Sequence, residues 1–327
     1  MLNGMPQRAI RAIGSTGYAP AALTGLAALT RGGIVPDHIG HRAVALLVAS
    51  WSERMVAGSL DLGAGRHARL DLDLGLDSCI DLLTTPLWRL PDQTAIRLFR
   101  AAATGASTIF DVGANVGLFT YLAAADAPRA RIYAYEPNPP LAALITRNLK
   151  RNGWSGRSQV RAEGVGALPG HMTFYVLESD SESTFDGDAA RQGTIVRELS
   201  VPVVALDDVL EQELIDAANA VMKIDVEGHE MRVLDGLERT LRVRGRRPLM
   251  LMEFLGRAIQ HERVIDRVLG FGLSVYYLSS RGLVHLASTD DLQPVHELGH
   301  WNFLLTDRTT DEVRQLAGAA GLLTAGL

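Results

Sequence analysis

The chain has 327 residues, 47% of them hydrophobic and 21% charged, with a net charge of −5. This composition fits one large globular domain, or a domain with an appendage, and the acidic balance argues against a general nucleic-acid binder. One cysteine, Cys79, excludes an intrachain disulfide and a cysteine-based metal cluster, and reads as a buried structural thiol.

No apolar run reaches the ~18 residues of a spanning helix. Pro20 and Gly25 interrupt the Ala/Leu stretch that follows Arg8 and Arg11, so no secretory signal is read and a cytoplasmic protein is expected. Residues 1 to about 55 are Ala-rich and read as helical. From 59 to 75 apolar and polar residues alternate around Gly63-Ala64-Gly65, which predicts a β-hairpin. A helix is expected over 91–103. From 108 onward strands and helices alternate: strands at 108–110, 131–135, 159–163, 221–225, 249–253, 273–278 and 302–306, with helices over 118–125, 141–152, 207–217, 231–242 and 257–269. Two added strands, 170–176 and 195–204, flank a polar loop at 178–193, and 281–286 suggests a small hairpin. The alternation predicts a mostly parallel sheet covered on both faces.

The densest signal is Asp111-Val112-Gly113-Ala114-Asn115-Val116-Gly117, a Gly-rich turn between a buried strand and a helix. Such turns bring backbone N–H groups close to nucleotide-like ligands. Glu136, with Pro137 and Asn138, follows the next strand about 20 residues on, where an acid suits ribose hydroxyls. The turn is Gly-x-x-x-Gly, not the Gly-x-Gly-x-x-Gly of dinucleotide binders, and Asp111 disfavours a pyrophosphate. Together they favour S-adenosylmethionine, whose amino group and sulfonium are cationic, over NAD. Asp111 with Gly113, Ala114, Asn115 and Gly117 is expected to hold the methionine portion; Asn138 and Glu163 lie where they could approach the adenosine.

The second dense stretch is Lys223-Ile224-Asp225-Val226-Glu227-Gly228-His229-Glu230. Ligands of open α/β sheets sit beyond the carboxyl ends of the strands. Asp111, Glu136, Asp225 and Glu253 are acids at such ends, which stability alone does not explain. Asp225, Glu227, His229 and Glu253 are the candidates for the chemical half of the site, with His229 the favoured base. Asp225 and Glu253 either bind acceptor hydroxyls, the favoured reading, or share a hard cation such as Mg²⁺. The plain reading of Glu227, His229 and Glu230 is a helix start carrying favourable acids. Arg239, Arg242, Arg244, Arg246 and Arg247 read as a solvated helix end rather than an anion patch.

These motifs, with Gly164-Val165-Gly166 before Pro169-Gly170, Ser183-Thr184, Leu206-Asp207-Asp208 and Asn302-Phe303-Leu304, resemble the FkbM-like methyltransferase family over roughly residues 90–306. The resemblance implies a class I, Rossmann-like methyltransferase domain at 91–327, using S-adenosylmethionine on a hydroxyl of a sugar, glycolipid or other natural product. Residues 1–90 form a helical and β-hairpin extension that resembles nothing assignable and is a candidate substrate cap. The polar loop 178–193, with its hydroxyls and carboxylates, points to a polyhydroxylated acceptor. The alternatives are a Rossmann-type NAD-dependent oxidoreductase, which lacks its middle glycine and a Tyr-x-x-x-Lys pair, and a non-catalytic scaffold.

Overall fold

The computed structural model describes residues 26, 29–30, 55–63, 65–73, 78–79, 82, 90, 93–179, 182–245, 247–292 and 300–325. The expected helical stretch over 1–55 lies almost wholly outside them; Leu26, Leu29 and Thr30 are helical. The chain divides into two compact units: Met1–Pro91 with Arg147–Gly153 and Ser179–Ser181, and the remainder.

In the first unit, β1 (Met55–Gly63) and β2 (Arg66–Asp73) form the expected antiparallel hairpin. Its alternation buries Leu60, Leu62, Ala68, Leu70 and Leu72 on one face, and Cys79 is buried. Two asparagines of the 147–153 segment complete the edge of β2. Asn148 accepts from the Asp71 N–H (2.7 Å) and donates to its carbonyl (3.0 Å); Asn152 does the same for Arg69 (2.9 and 2.7 Å). An edge strand leaves such groups unpaired unless something covers them.

The second unit is built on a nine-stranded sheet. Its strands are β3 (Thr108–Val112), β4 (Arg131–Tyr135), β5 (Ser158–Arg161), β9 (Ala220–Ile224), β10 (Leu249–Leu255), β11 (Ser274–Ser279), β12 (Gly282–Leu286), β13 (His300–Thr306) and β14 (Leu323–Ala325). The order is β14-β12-β11-β13-β10-β9-β3-β4-β5. Strands β5, β4, β3, β9 and β10 are parallel; β13 runs antiparallel between β10 and β11. The strand order reverses between β3 and β9, the place where open α/β sheets leave a crevice for ligand. A separate three-stranded sheet holds β6 (Gly164–Val165), β7 (Gly170–Leu177) and β8 (Ile195–Val204).

Alternation along the strands sends Phe110, Val112, Tyr133, Tyr135, Met222, Ile224, Met250, Met252 and Phe254 into one apolar core. That face is covered by five short helices: α5 (Leu206–Gln212), α6 (Glu230–Asp235), α7 (Glu238–Leu241), α8 (Gly256–His261) and α9 (Val264–Gly270). The opposite face carries α1 (Gln93–Ala103), which packs on α2 (Leu118–Asp126) and on α10 (Thr310–Ala319). Between β4 and β5 runs α3 (Pro139–Arg151), and α4 (Gly187–Ala190) sits in the loop before β8.

Several expected elements differ. The single helix over 231–242 is two, because the turn at Gly236 lies against the Gly166 carbonyl; a Cβ on Gly236 would sit 2.1 Å from that oxygen. The helix over 257–269 breaks at Arg263, which adopts a left-handed φ of 47°. The helix over 207–217 stops at Gln212, before Leu214 at φ 51°. Residues 282–286 are not a separate hairpin but a sheet strand paired with β11. Neither α10 nor β14 was foreseen. The sequence signal for α10 was a capping box, in which Thr309 and Glu312 each bond the other's backbone N–H.

Candidate active site

Because Asp111 pairs with Lys223 across β3 and β9, and Lys223 with Leu251 across β9 and β10, period-2 alternation puts Asp111, Lys223 and Glu253 on the sheet face opposite the large apolar core. They stand under the start of α2, with the Lys223 ammonium 5.2 Å from the centre of the Phe119 ring.

The Gly-rich turn is pinned from both sides. The N–H groups of Gly113 and Ala114 donate to the Tyr135 carbonyl (3.0 and 2.9 Å), and the Asp225 N–H donates to Val112 O (2.9 Å). Gly113 has φ 79°, and a Cβ there would lie 1.8 Å from the Asp225 carbonyl oxygen, so no other residue fits. Gly117, at φ 91°, starts α2 without a side-chain cap. First-turn N–H groups of an uncapped helix are donors for an anionic ligand group.

Glu136, 4% exposed, joins the turn to the next loop. Its Oε2 accepts the Asn115 N–H at 2.7 Å and its Oε1 the Asn138 N–H at 2.8 Å. Beside it, Pro137 and Asn138 are buried, and the Arg197 guanidinium of β8 reaches Asn138 Oδ1 at 3.4 Å. Glu163 lies just beyond β5, not within it. Asn115 Oδ1 is buried without a hydrogen-bond partner, and Glu163 Oε2 accepts no hydrogen bond though it lies 3.9 Å from the Arg161 guanidinium. A buried polar atom without a partner is costly, and an adenosine-containing ligand offers the donor it lacks. The residues therefore fit S-adenosylmethionine.

Asp111 is placed differently from the expectation. It is 2% exposed, and its Oδ2 accepts the Thr120 hydroxyl of α2 at 2.5 Å. Its charge supports the turn from within rather than facing solvent. Burial pushes its carboxyl up to about 6, against the hydrogen bond from Thr120 and the charge of Lys223.

The second half of the site gathers Asp225, Glu227 and Glu253 of the four expected residues with Lys223, His300 and Asn302, to which the sequence reading gave no role. Lys223, 2% exposed, puts its Nζ 3.0 Å from Asp225 Oδ2 and 3.9 Å from Glu253 Oε2. His300, the first residue of β13, presents its Nδ1 to Glu253 Oε1 at 2.7 Å and lies 3.9 Å from Glu227 Oε2. Asn302 donates to Glu253 Oε2 at 3.0 Å. Burial raises the Glu253 carboxyl, but the hydrogen bond from His300 and the Lys223 charge more than offset it and hold the group below the usual range. Burial and the neighbouring Glu253 push Asp225 up. Burial, then Asp225, pushes Glu227 up to about 9, against the charge of His300. Glu227 also holds a left-handed φ of 51°, with its carbonyl accepting the Thr184 hydroxyl at 2.5 Å. Non-glycine residues in that region concentrate at functional sites.

His229 does not join this cluster. It is 7% exposed, its ring packs 5.1 Å from Phe185, and its Nε2 is buried without a hydrogen-bond partner beside Gly166. Burial, then Arg232, depresses it to about 4. Glu230 caps its own turn by accepting the Gly228 N–H at 2.8 Å, and burial raises it to about 7. The polar loop is anchored here: Thr184 is 1% exposed on Glu227, and Phe185 packs between Phe174 and His229. Among the clustered arginines, Arg239 pairs with Asp207 and Asp208, Arg242 with Glu238, and buried Arg247 donates to the Leu241 and Gly272 carbonyls. Arg239 and Arg242 are exposed at the helix end as expected, whereas Arg247 is buried rather than solvated.

The methyltransferase FkbM domain matches residues 111–273, from the acid before the Gly-rich turn to the end of α9 and its following turn. The chain carries an FkbM-like methyltransferase domain. It is similar to the 31-O-demethyl-FK506 methyltransferase FkbM of Streptomyces tacrolimicus, 33% identical over 40% of this chain and 59% of that protein. It is also similar to the hexuronic acid methyltransferase AglP of Haloferax volcanii, 26% identical over 47% of this chain and 62% of that one. The chain thus spans about three fifths of the length of these relatives. Against the O-methyltransferase TomG of Streptomyces achromogenes, solved in complex with S-adenosylmethionine, the TM-score is 0.37 at 12% identity over 67% of this chain and 84% of that one. The class I, Rossmann-like α/β assignment stands on the strand order. Among the described residues no helix is long and apolar enough to cross a membrane, and no group of three or more His, Cys, Asp or Glu side chains is placed to hold a metal.

Proposed function

We propose that the chain transfers a methyl group from S-adenosylmethionine to a hydroxyl of a sugar or other polyhydroxylated product. The observation that carries this is Glu136. Its two oxygens tie the Gly-rich turn to the loop after β4, and the acid stands at the strand end where ribose hydroxyls are bound in such sheets. When bound, S-adenosylmethionine supplies a sulfonium-activated methyl group. The chain has to bind it, exclude water and position a nucleophilic oxygen. The first-turn N–H groups of α2, which starts at Gly117 without a side-chain cap, would hold the methionine carboxylate. Asn115, Asn138 and Glu163 would meet the adenosine. Beyond β9, Asp225 and Glu227 would bind acceptor hydroxyls, with Thr184 fixing the Glu227 backbone beside them.

The printed activities of the relatives, on 31-O-demethyl-FK506 and on a hexuronic acid, support an oxygen acceptor on a natural product or sugar. A shared Mg²⁺ on Asp225 and Glu253 is disfavoured because the Lys223 ammonium already stands between these carboxylates.

Calorimetry tests the reading. S-adenosylhomocysteine should bind the full chain, and Glu136→Ala should weaken binding at least ~100-fold, the loss of about two charge-assisted hydrogen bonds. Tighter binding of NAD than of S-adenosylhomocysteine would overturn it in favour of the oxidoreductase.

A further inference from the structure

Resting on the methyltransferase reading, we propose that His300 is the general base that takes the acceptor's proton, and that Glu253 orients it. His300 lies beyond the matched stretch 111–273, and neither the motifs nor the relatives assign it a role.

The geometry is that of a carboxylate–imidazole pair. Nδ1 donates to Glu253 Oε1 at 2.7 Å, which leaves Nε2 as the free basic nitrogen of the neutral ring. Glu253 is itself fixed by Asn302 at 3.0 Å and by Lys223 at 3.9 Å. Antiparallel pairing of β13 with β10 sets His300 opposite Leu255, at the end of the sheet where Asp225 and Glu227 lie. Its side chain is 44% exposed, whereas Glu253 behind it is 11% exposed. A base must reach a substrate and its orienting partner must not, and the two exposures are in that order. His229 fails the same test, being buried with no carboxylate on either ring nitrogen.

In the step, the acceptor oxygen forms its bond to the methyl carbon as the carbon–sulfur bond of the donor breaks. The electron pair of that bond stays on sulfur, giving neutral S-adenosylhomocysteine. The hydroxyl proton passes to His300 Nε2 and from there to water. The titratable groups facing His300 are the carboxyls of Glu253 on β10 and of Glu227 and Asp225 in the turn after β9. The Glu253 hydrogen bond raises the imidazole to about 9; burial opposes this, and Glu227 and Asp225 add to it. Transfer should therefore rise with pH between 7 and 9, as the base form grows.

Two readouts test the assignment on the full chain. The first uses labelled S-adenosylmethionine and a pool of methyl glycosides of neutral hexoses and of glucuronic acid. Here His300→Gln should lower transfer at least ~100-fold while the S-adenosylhomocysteine Kd stays within about threefold. Transfer by His300→Gln within tenfold of the unmodified chain overturns the proposal. The second is the ¹⁵N spectrum of the His300 ring at high pH with S-adenosylhomocysteine bound, which decides whether or not the pool contains an acceptor. The neutral ring should carry its proton on Nδ1, and Glu253→Gln should disturb that preference. A neutral ring protonated on Nε2 overturns the assignment alone. Failure of the unmodified chain to bind S-adenosylhomocysteine takes down the methyltransferase reading and this assignment with it.

Discussion

Replacing Lys223 with methionine keeps an unbranched side chain one heavy atom shorter and removes the ammonium group with its charge and N–H donors. In the folded protein that charge lies 3.0 Å from Asp225 and 3.9 Å from Glu253, on a strand position paired with Asp111, and it is 2% exposed. Removing one partner from a buried charge group leaves the others uncompensated, at a cost of about 3–5 kcal/mol. In a unit of this size that lowers the melting temperature by about 6–10 °C at pH 7. The sign of the pH dependence follows from the acids. Asp111 and Asp225 already have folded values above the ordinary carboxylate range, and removing Lys223 raises them and Glu253 further while the unfolded values stay put. The deficit is then full above the folded values and shrinks as pH falls through them toward 4. Thermal unfolding followed by tryptophan fluorescence at pH 7 and pH 5 measures both. A shift under 2 °C at pH 7, or an equal deficit at pH 5, would refute the view that Lys223 holds this acid cluster together.

Gly113→Ala should abolish measurable S-adenosylhomocysteine binding in calorimetry, since the new methyl meets the Asp225 carbonyl backbone and φ is left-handed; unchanged affinity would show that the turn is not the cofactor loop. Asp111 has a folded value of about 6 against 3.8 unfolded, so its contribution to stability is present below pH 3.8 and lost as pH rises through 6. Asp111→Asn should remove up to about 3 kcal/mol of that loss between pH 4 and 7, read from urea unfolding across pH. His229→Leu should leave S-adenosylhomocysteine affinity unchanged and the melting temperature within a few degrees, because the ring nitrogen it removes is buried without a partner. If Lys223 supplies the cluster's positive charge, methyl transfer should be unaffected by a chelator or by added Mg²⁺; a loss restored by Mg²⁺ would reinstate a metal on Asp225 and Glu253.

The parallel half of the sheet was legible because each strand is a short apolar run ended by its own punctuation: Gly113, the Glu136-Pro137 pair, and Gly228. The cofactor turn was legible for the same reason, since Gly113 and Gly117 hold backbone conformations that only glycine takes easily. The broken helices were not, because Gly236 is shaped by Gly166, seventy residues earlier, and local periodicity carries no trace of that contact. Lys223 stood at the head of the second dense stretch with no role assigned to it; its role depends on the lateral register with Asp111 and Glu253, which no single strand encodes. His300 was invisible for a similar reason. It reaches Glu253 only because β13 inserts antiparallel between β10 and β11. His229 drew attention by standing in an acidic run, and its burial against Phe185 depends on the loop that returns from β7.

Native mass spectrometry of the full chain with equimolar S-adenosylmethionine, S-adenosylhomocysteine and NAD tests the central claim most directly. The account predicts one S-adenosyl ligand per chain, displaced by neither NAD nor salt and missing from Glu136→Ala. A chain that carries NAD instead, or a Glu136→Ala variant that retains the S-adenosyl ligand undiminished, would contradict it.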